Sequence, residues 1–360
     1  MAHNGTRYPG EFKMYKKRSG ILITITIAVI FVIVLIVVVL LLKTDTELQI
    51  GIASVIAPVG VLCAALLGKH KSKKKAAVPQ VEQEEEIRDK EKMDAVIQEL
   101  KERTKTEYYR ICLEEEPTNL YSSKLGGIPY WDVSRQYPTG SDGNKLVLLA
   151  QINFEKEQFD DERLPRTGIL QFFIADDDNF GYDYRLLYDD KQENWSVVYH
   201  ESVTEGLTEA DIMKLNIQTH KTAKCFPMEK DAEPAALKFE KSTGYISTGD
   251  YRFEGLLKSI LKDKYEEDVT EKPWYDLLSY EEICYIEEAL DNWGHRMLGY
   301  PNFAQEDIRG EDSLYDTLLL EVDSDKKIMW GDGGMANFFI NSENLKKKDF
   351  SKVSYSWDCY

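Results

Sequence analysis

The sequence predicts an α+β fold: a largely antiparallel sheet with internal duplication of two related halves, preceded by an N-terminal transmembrane helical hairpin. Three observations predict it. Residues Ile21–Leu42 pass without a charge, about 33 Å of helix against a hydrocarbon core of about 30 Å. Beyond residue 84, short apolar strand candidates and amphipathic stretches mix without the regular alternation of a doubly wound sheet. Three sequence blocks then recur in the same order at nearly constant offset.

Residues 1–20 are polar and end in Lys16, Lys17 and Arg18. The apolar run at 21–42 is too long for a signal peptide and no small-residue cleavage pattern follows it. A polar break at 43–47 reads as an external turn. A second uncharged stretch, 48–68, is diluted by Gln49, Pro58 and three glycines, which membrane helices tolerate. Lys13, Lys16, Lys17 and Arg18 flank the first segment and five lysines between Lys69 and Lys75 flank the second, while only Lys43 lies in the turn. Positive flanks stay inside. The expectation is a multi-pass protein of the inner (plasma) membrane with both termini cytoplasmic. The bilayer would be its partner through the hairpin and the juxtamembrane lysines of the 69–83 linker.

The remainder, 84–360, is long enough for a substantial core. Up to Lys75 there are eleven Lys/Arg against three Asp/Glu, a balance of +8; from Ala76 on there are 34 against 60, or −26. An acidic body repels phosphate backbones, which argues against nucleic acid as a partner. The five cysteines, at 63, 112, 225, 284 and 359, form no Cys-x-x-Cys pair and suit a reducing compartment. Met93, Val96, Ile97 and Leu100 predict a helix over 84–103. Strands are predicted at 108–113, 146–154, 168–174, 195–203, 236–239, 318–322, 336–340 and 353–360. Helices are predicted at 207–215, 253–264 and 280–290, the last with Ser279 as N-cap.

The recurring blocks are LGGIPY from Leu125 and LGYPN from Leu298, LLAQIN from Leu148 and LLLEVD from Leu318, and TGILQFFI from Thr167 and GGMANFFI from Gly333. They predict repeat halves near 123–174 and 294–340, each with a Gly-Pro turn, a buried strand and a Gly-led aromatic strand.

Catalytic signatures are missing: no His-Glu-x-x-His, no Gly-x-Ser-x-Gly, no phosphate loop. Ser259 and Lys262 have Ser-x-x-Lys spacing on an amphipathic helix, where a solvated lysine is expected. Asp176–Gly181 opens like a calcium loop, but Phe180 and Leu187 stand where oxygen ligands belong, so no metal is expected. No cofactor is expected either. Four residues remain as binding candidates. Trp330 and Asp332 sit in a Trp-Gly-Asp-Gly-Gly loop that offers an aromatic wall and one carboxylate. His295 follows Asp291 by four residues, a spacing at which a carboxylate can orient an imidazole. Gln151 is a polar side chain in an apolar strand and needs partners.

The blocks SKLGGIPYW at 123–131, LLAQINF at 148–154, LPRTGILQFF at 164–173, GHRMLGYP at 294–301, MWGDGG at 329–334 and SYSWDCY at 354–360 resemble the YwqG-like family, a bacterial domain of unknown function. The resemblance runs from about Lys90 to the C-terminus. It implies an α+β fold with antiparallel sheet and supplies no catalytic residues. The leading functional expectation is a non-enzymatic protein-binding module, in one version an immunity protein that neutralises a basic toxin. The alternative is a small-molecule enzyme with a pocket near Asp332.

Overall fold

The computed structural model describes residues 89–183, 192–266, 272–291 and 293–360. The expected spans at 21–42 and 48–68 lie outside these residues. Among the described residues no helix is long and apolar enough to cross a membrane. The longest, α1 (Lys90–Thr104), is charged and would reach only about 23 Å. The transmembrane hairpin, the bilayer partner and the multi-pass inner-membrane placement are therefore corrected: among the described residues no helix supports them.

The α+β class is also corrected. Among the described residues ten strands form one antiparallel sheet that curls into a nearly closed barrel, with few helices. In chain order they are β1 (Thr106–Glu114), β2 (Lys124–Leu125), β3 (Val147–Asn153), β4 (Ile169–Ile174), β5 (Trp195–His200), β6 (Ala235–Gly244), β7 (Arg296–Met297), β8 (Thr317–Asp323), β9 (Met335–Ile340) and β10 (Val353–Asp358). Across the sheet the order is β10-β9-β8-β7-β1-β6-β2-β3-β4-β5. The two edges approach each other. Trp195 Nε1 donates to the Val353 carbonyl at 3.3 Å, and Gln192 Nε2 donates to those of Phe350 and Ser351 at 3.2 and 3.1 Å. Twist accumulated over ten strands brings edges together, and bulges sharpen the curl.

The long β1·β6 pair lies at the centre, Thr106 opposite Gly244 through Glu114 opposite Ala236. Four strands flank it on each side, and their registers correspond. β3·β4 shifts register between Leu148 and Ala150, and β8·β9 shifts between Leu318 and Leu320. Lys124 faces Gln151 as Arg296 faces Glu321. The leading strands cross over: β1 hydrogen-bonds to β7, whereas β6 hydrogen-bonds to β2.

Alternation sets the faces. Leu170, Phe172, Ala336, Phe338 and Tyr355 point into the barrel and join a single apolar cluster. Phe172 and Phe338 meet edge to face with ring centroids 4.9 Å apart. The interior is thus filled by side chains from both sides. Outside, α1 packs with α3 (Phe253–Tyr265) and α4 (Tyr280–Leu290) through Val96, Leu100, Leu257, Ile260, Ile286 and Leu290. The short helices α2 (Glu209–Met213) and α5 (Ser342–Lys346) each carry one buried apolar side chain. Ser279 caps α4 with a reciprocal Glu282 contact, a capping box.

Candidate functional site

The Trp330–Gly334 loop closes the β8–β9 hairpin. Trp330 is fully buried, its ring 5.6 Å from that of Phe180 and 6.1 Å from that of Trp357. Its backbone N–H donates to Ser324 Oγ at 2.9 Å, and its carbonyl accepts from the N–H groups of Gly333 and Gly334. The glycines make room for the chain itself. A Cβ on Gly334 would stand 1.6 Å from the Asp358 carbonyl oxygen, and one on Gly331 would stand 2.5 Å from Cys359 Sγ. The end of β10 fills this notch, and Asp332 is left exposed at the tip of the turn.

His295 is tied to the same hairpin. Its Nδ1 accepts from the Asp323 N–H at 2.9 Å, so the other nitrogen carries the proton toward Asp325 Oδ2 at 3.3 Å. Asp291 instead accepts from the Trp293 N–H. The structure therefore ties His295, just before β7, to the β8–β9 hairpin that carries Trp330, with Asp332 at its tip. Gln151 lies apart on β3.

Gln151 makes four hydrogen bonds. Its Oε1 accepts from the Tyr130 N–H at 2.9 Å and from Gln171 Nε2 at 2.8 Å; its Nε2 donates to the carbonyls of Leu120 and Ser122 at 3.0 and 2.8 Å. Gln171 also donates to the Tyr130 carbonyl and accepts from His200 Nε2 at 3.0 Å, since Arg135 occupies His200 Nδ1. Burial, with the Arg135 charge adding to it, pushes His200 down to about 4. Burial pushes the neighbouring Lys124 amine down to about 8; it donates to the carbonyls of Asn119 and Ile128.

The corresponding positions on the other side hold charge. Glu321, fully buried, accepts from the Asn302 N–H at 2.6 Å, Asn302 Nδ2 at 2.9 Å and Arg296 Nε at 3.2 Å. Burial pushes its carboxyl up to about 7, with Arg296 and Asn302 pulling the other way. Asn337 donates to the Asn302 carbonyl as Gln171 does to that of Tyr130. Sequence reasoning singled out Gln151 but missed Gln171, Glu321 and Asn337, which carry the same signal of a polar side chain in an apolar strand.

Two surface features complete the inventory. A recess of about 270 Å³ is lined by His220, Lys224, Phe226, Met228, Glu229 and Asp231. His220 is already engaged, accepting from the Gly127 N–H and donating to the Ala232 carbonyl. Among the described residues no group of three or more His, Cys, Asp or Glu side chains could hold a metal ion. The second feature is aromatic. Tyr275, Tyr280 and Trp293 are 57, 38 and 48% exposed on α4 and the segments that flank it.

No curated protein matches the chain. A family model described only as a domain of unknown function, DUF1963, matches residues 123–359. The matched span opens just before β2 and closes just after β10, so it holds both four-strand sets and the polar side chains of both networks. At the level of a domain of unknown function this agrees with the YwqG-like resemblance. With most of its length matched, and the matched part containing nearly the whole sheet, the chain belongs to the DUF1963 family.

Proposed function

We propose that the chain is a protein-binding module rather than an enzyme. The observation that carries this reading is the exposed aromatic set Tyr275, Tyr280 and Trp293, beside a barrel whose interior is packed with its own side chains. Large aromatic side chains left in water on a folded surface suit a recognition patch, because they bury much area on contact. The alternative, an enzyme with a pocket near Asp332, has less support. Asp332 lies at an exposed turn tip, and the Trp330 ring that would wall a pocket is sealed in the core.

The test is affinity capture with the full chain as bait, comparing the parent with a Tyr275→Ala, Tyr280→Ala, Trp293→Ala triple variant of unchanged thermal unfolding. Loss of specific capture in the triple variant supports the reading. An identical set of captured proteins overturns it. The toxin-immunity version makes a narrower demand: co-expression of the chain must rescue growth from a toxin that it captures.

A further inference from the structure

We infer that the outward face of α4 binds a lysine- and arginine-rich segment of a partner protein. The inference rests on the protein-binding reading and adds the chemistry of the partner.

From Tyr275 to Trp293 the sequence YDLLSYEEICYIEEALDNW holds six Asp/Glu and no Lys or Arg. Helical spacing gathers Tyr280, Cys284, Glu287, Glu288 and Asp291 along one stripe, away from the buried Ile286 and Leu290. Tyr280, Glu287, Glu288 and Asp291 are all exposed. Trp293 turns back at the end of the stripe, its N–H donating to Asp291 Oδ1 at 3.1 Å.

Each of the other helices pairs at least one of its acids with a basic side chain. Glu99 on α1 pairs with Arg103 and with Lys264 of α3; Glu254 of α3 pairs with Lys258; Asp211 of α2 with Lys214; Glu343 of α5 with Lys346. Among the described residues, Glu281, Glu287, Glu288 and Asp291 join no ion pair. Glu282 is occupied in the N-terminal capping box.

Placement makes the imbalance sharper. Glu287, Glu288 and Asp291 stand at the C-terminal end of α4, where the helix dipole favours cations, and the last turn has no basic residue. Glu287 and Asp291 repel each other at i, i+4, as do Glu288 and Asp291 at i, i+3. A local electrostatic rule broken at an exposed site is a sign of function, because an external cation would relieve both penalties at once. The carboxylates are spread along the helix, which suits several ammonium or guanidinium groups on one peptide rather than a single metal ion. Exposed Tyr280 and Trp293 can stack on guanidinium planes. An ammonium already sits over an aromatic face on the flank of the same helix, where Lys90 of α1 lies over the Tyr285 ring, 5.6 Å from its centroid.

The experiment titrates the full chain into a fluorescein-labelled peptide of alternating Arg and Ser, with the matching Glu-Ser peptide as control. Only the Arg peptide should bind, and more weakly as salt rises. The Glu288→Lys, Asp291→Lys double variant should weaken binding about tenfold or more. Its fold is not at risk, since both changes improve the match to the dipole; the neutral Glu288→Gln, Asp291→Asn pair should give a smaller loss in the same direction. Glu162→Lys with Glu205→Lys changes net charge equally at exposed sites elsewhere and should leave affinity within about twofold.

The inference is overturned if the Glu288/Asp291 variants bind like the parent, or if the Glu162/Glu205 variant weakens equally. Should Arg-peptide binding ignore α4 while partner capture still depends on the three aromatic residues, the inference fails and the protein-binding reading stands. Should neither depend on this face, both fail.

Discussion

Gln151 and Glu321 occupy matching places in two matching registers, Gln151 opposite Gln171 and Glu321 opposite Asn337. At these paired positions one network sets two neutral amides, Gln151 and Gln171, while in the other Glu321 forms a buried ion pair with Arg296. The difference lets each be probed separately.

Gln151 uses two donors and two acceptor lone pairs, the full capacity of its amide. Gln151→Leu would leave the Tyr130 N–H and the Leu120 and Ser122 carbonyls short of partners. We expect a loss of about 3–5 kcal/mol in urea denaturation. A loss under about 1 kcal/mol would show that these bonds do not hold β3 to the segments over it.

The two networks should respond to pH with opposite sign. His200, held at about 4 against an ordinary 6.5, is neutral when folded, so its contribution is complete above 6.5 and is lost as pH falls through 4. At full extent that is about 3 kcal/mol. Glu321, raised to about 7 from 4.5, contributes fully below 4.5 and loses its contribution as pH rises through 7. Subtracting the parent's stability curve from that of His200→Gln should give a slope between pH 4 and 6.5 opposite to that for Glu321→Gln between 4.5 and 7. Parallel difference curves would sink this assignment.

Gly334→Ala should push the end of β10 off the β9 edge, because the added methyl meets the Asp358 carbonyl at 1.6 Å. Overpacking of this kind costs about 1–3 kcal/mol. Hydrogen exchange should quicken first at Trp357 and Asp358; uniform protection would count against the close approach.

Trp330 and Asp332 should separate cleanly. Trp330→Ala removes a fully buried ring and should cost about 3–5 kcal/mol. Asp332→Asn should lie within about 0.5 kcal/mol of the parent in thermal unfolding. A stable Asp332→Asn protein that lost its cellular phenotype would return the catalytic reading to favour.

Local signals were legible in the sequence and tertiary ones were not. Helix α4 spans Tyr280–Leu290 behind Ser279, as spacing and cap foretold, because both cues lie within a few residues. The strands at β3, β4, β8 and β9 follow from their apolar runs. The two-residue strands Lys124–Leu125 and Arg296–Met297 were invisible, since only their neighbours make them strands. Barrel closure rests on a contact between Trp195 and Val353, far apart in the chain. Among the candidate residues, Gln151 is legible as a polar side chain in an apolar strand, and its four hydrogen bonds come from segments distant in sequence. For His295 the nearby Asp291 suggested itself, yet the chain turns at Gly294 and Asp325 arrives from the far side of β8.

The crossed leading strands have a consequence for biosynthesis. A ribosome delivers β1 early, yet the strands that sandwich it, β6 and β7, emerge only after β5 is complete. Until then the nascent polypeptide carries β1 without its native pairing partners, a template for mispairing. Neither half can be cut free and keep its own complement of strands, so gene fission between β5 and β6 should yield fragments that recover structure only by reassociating.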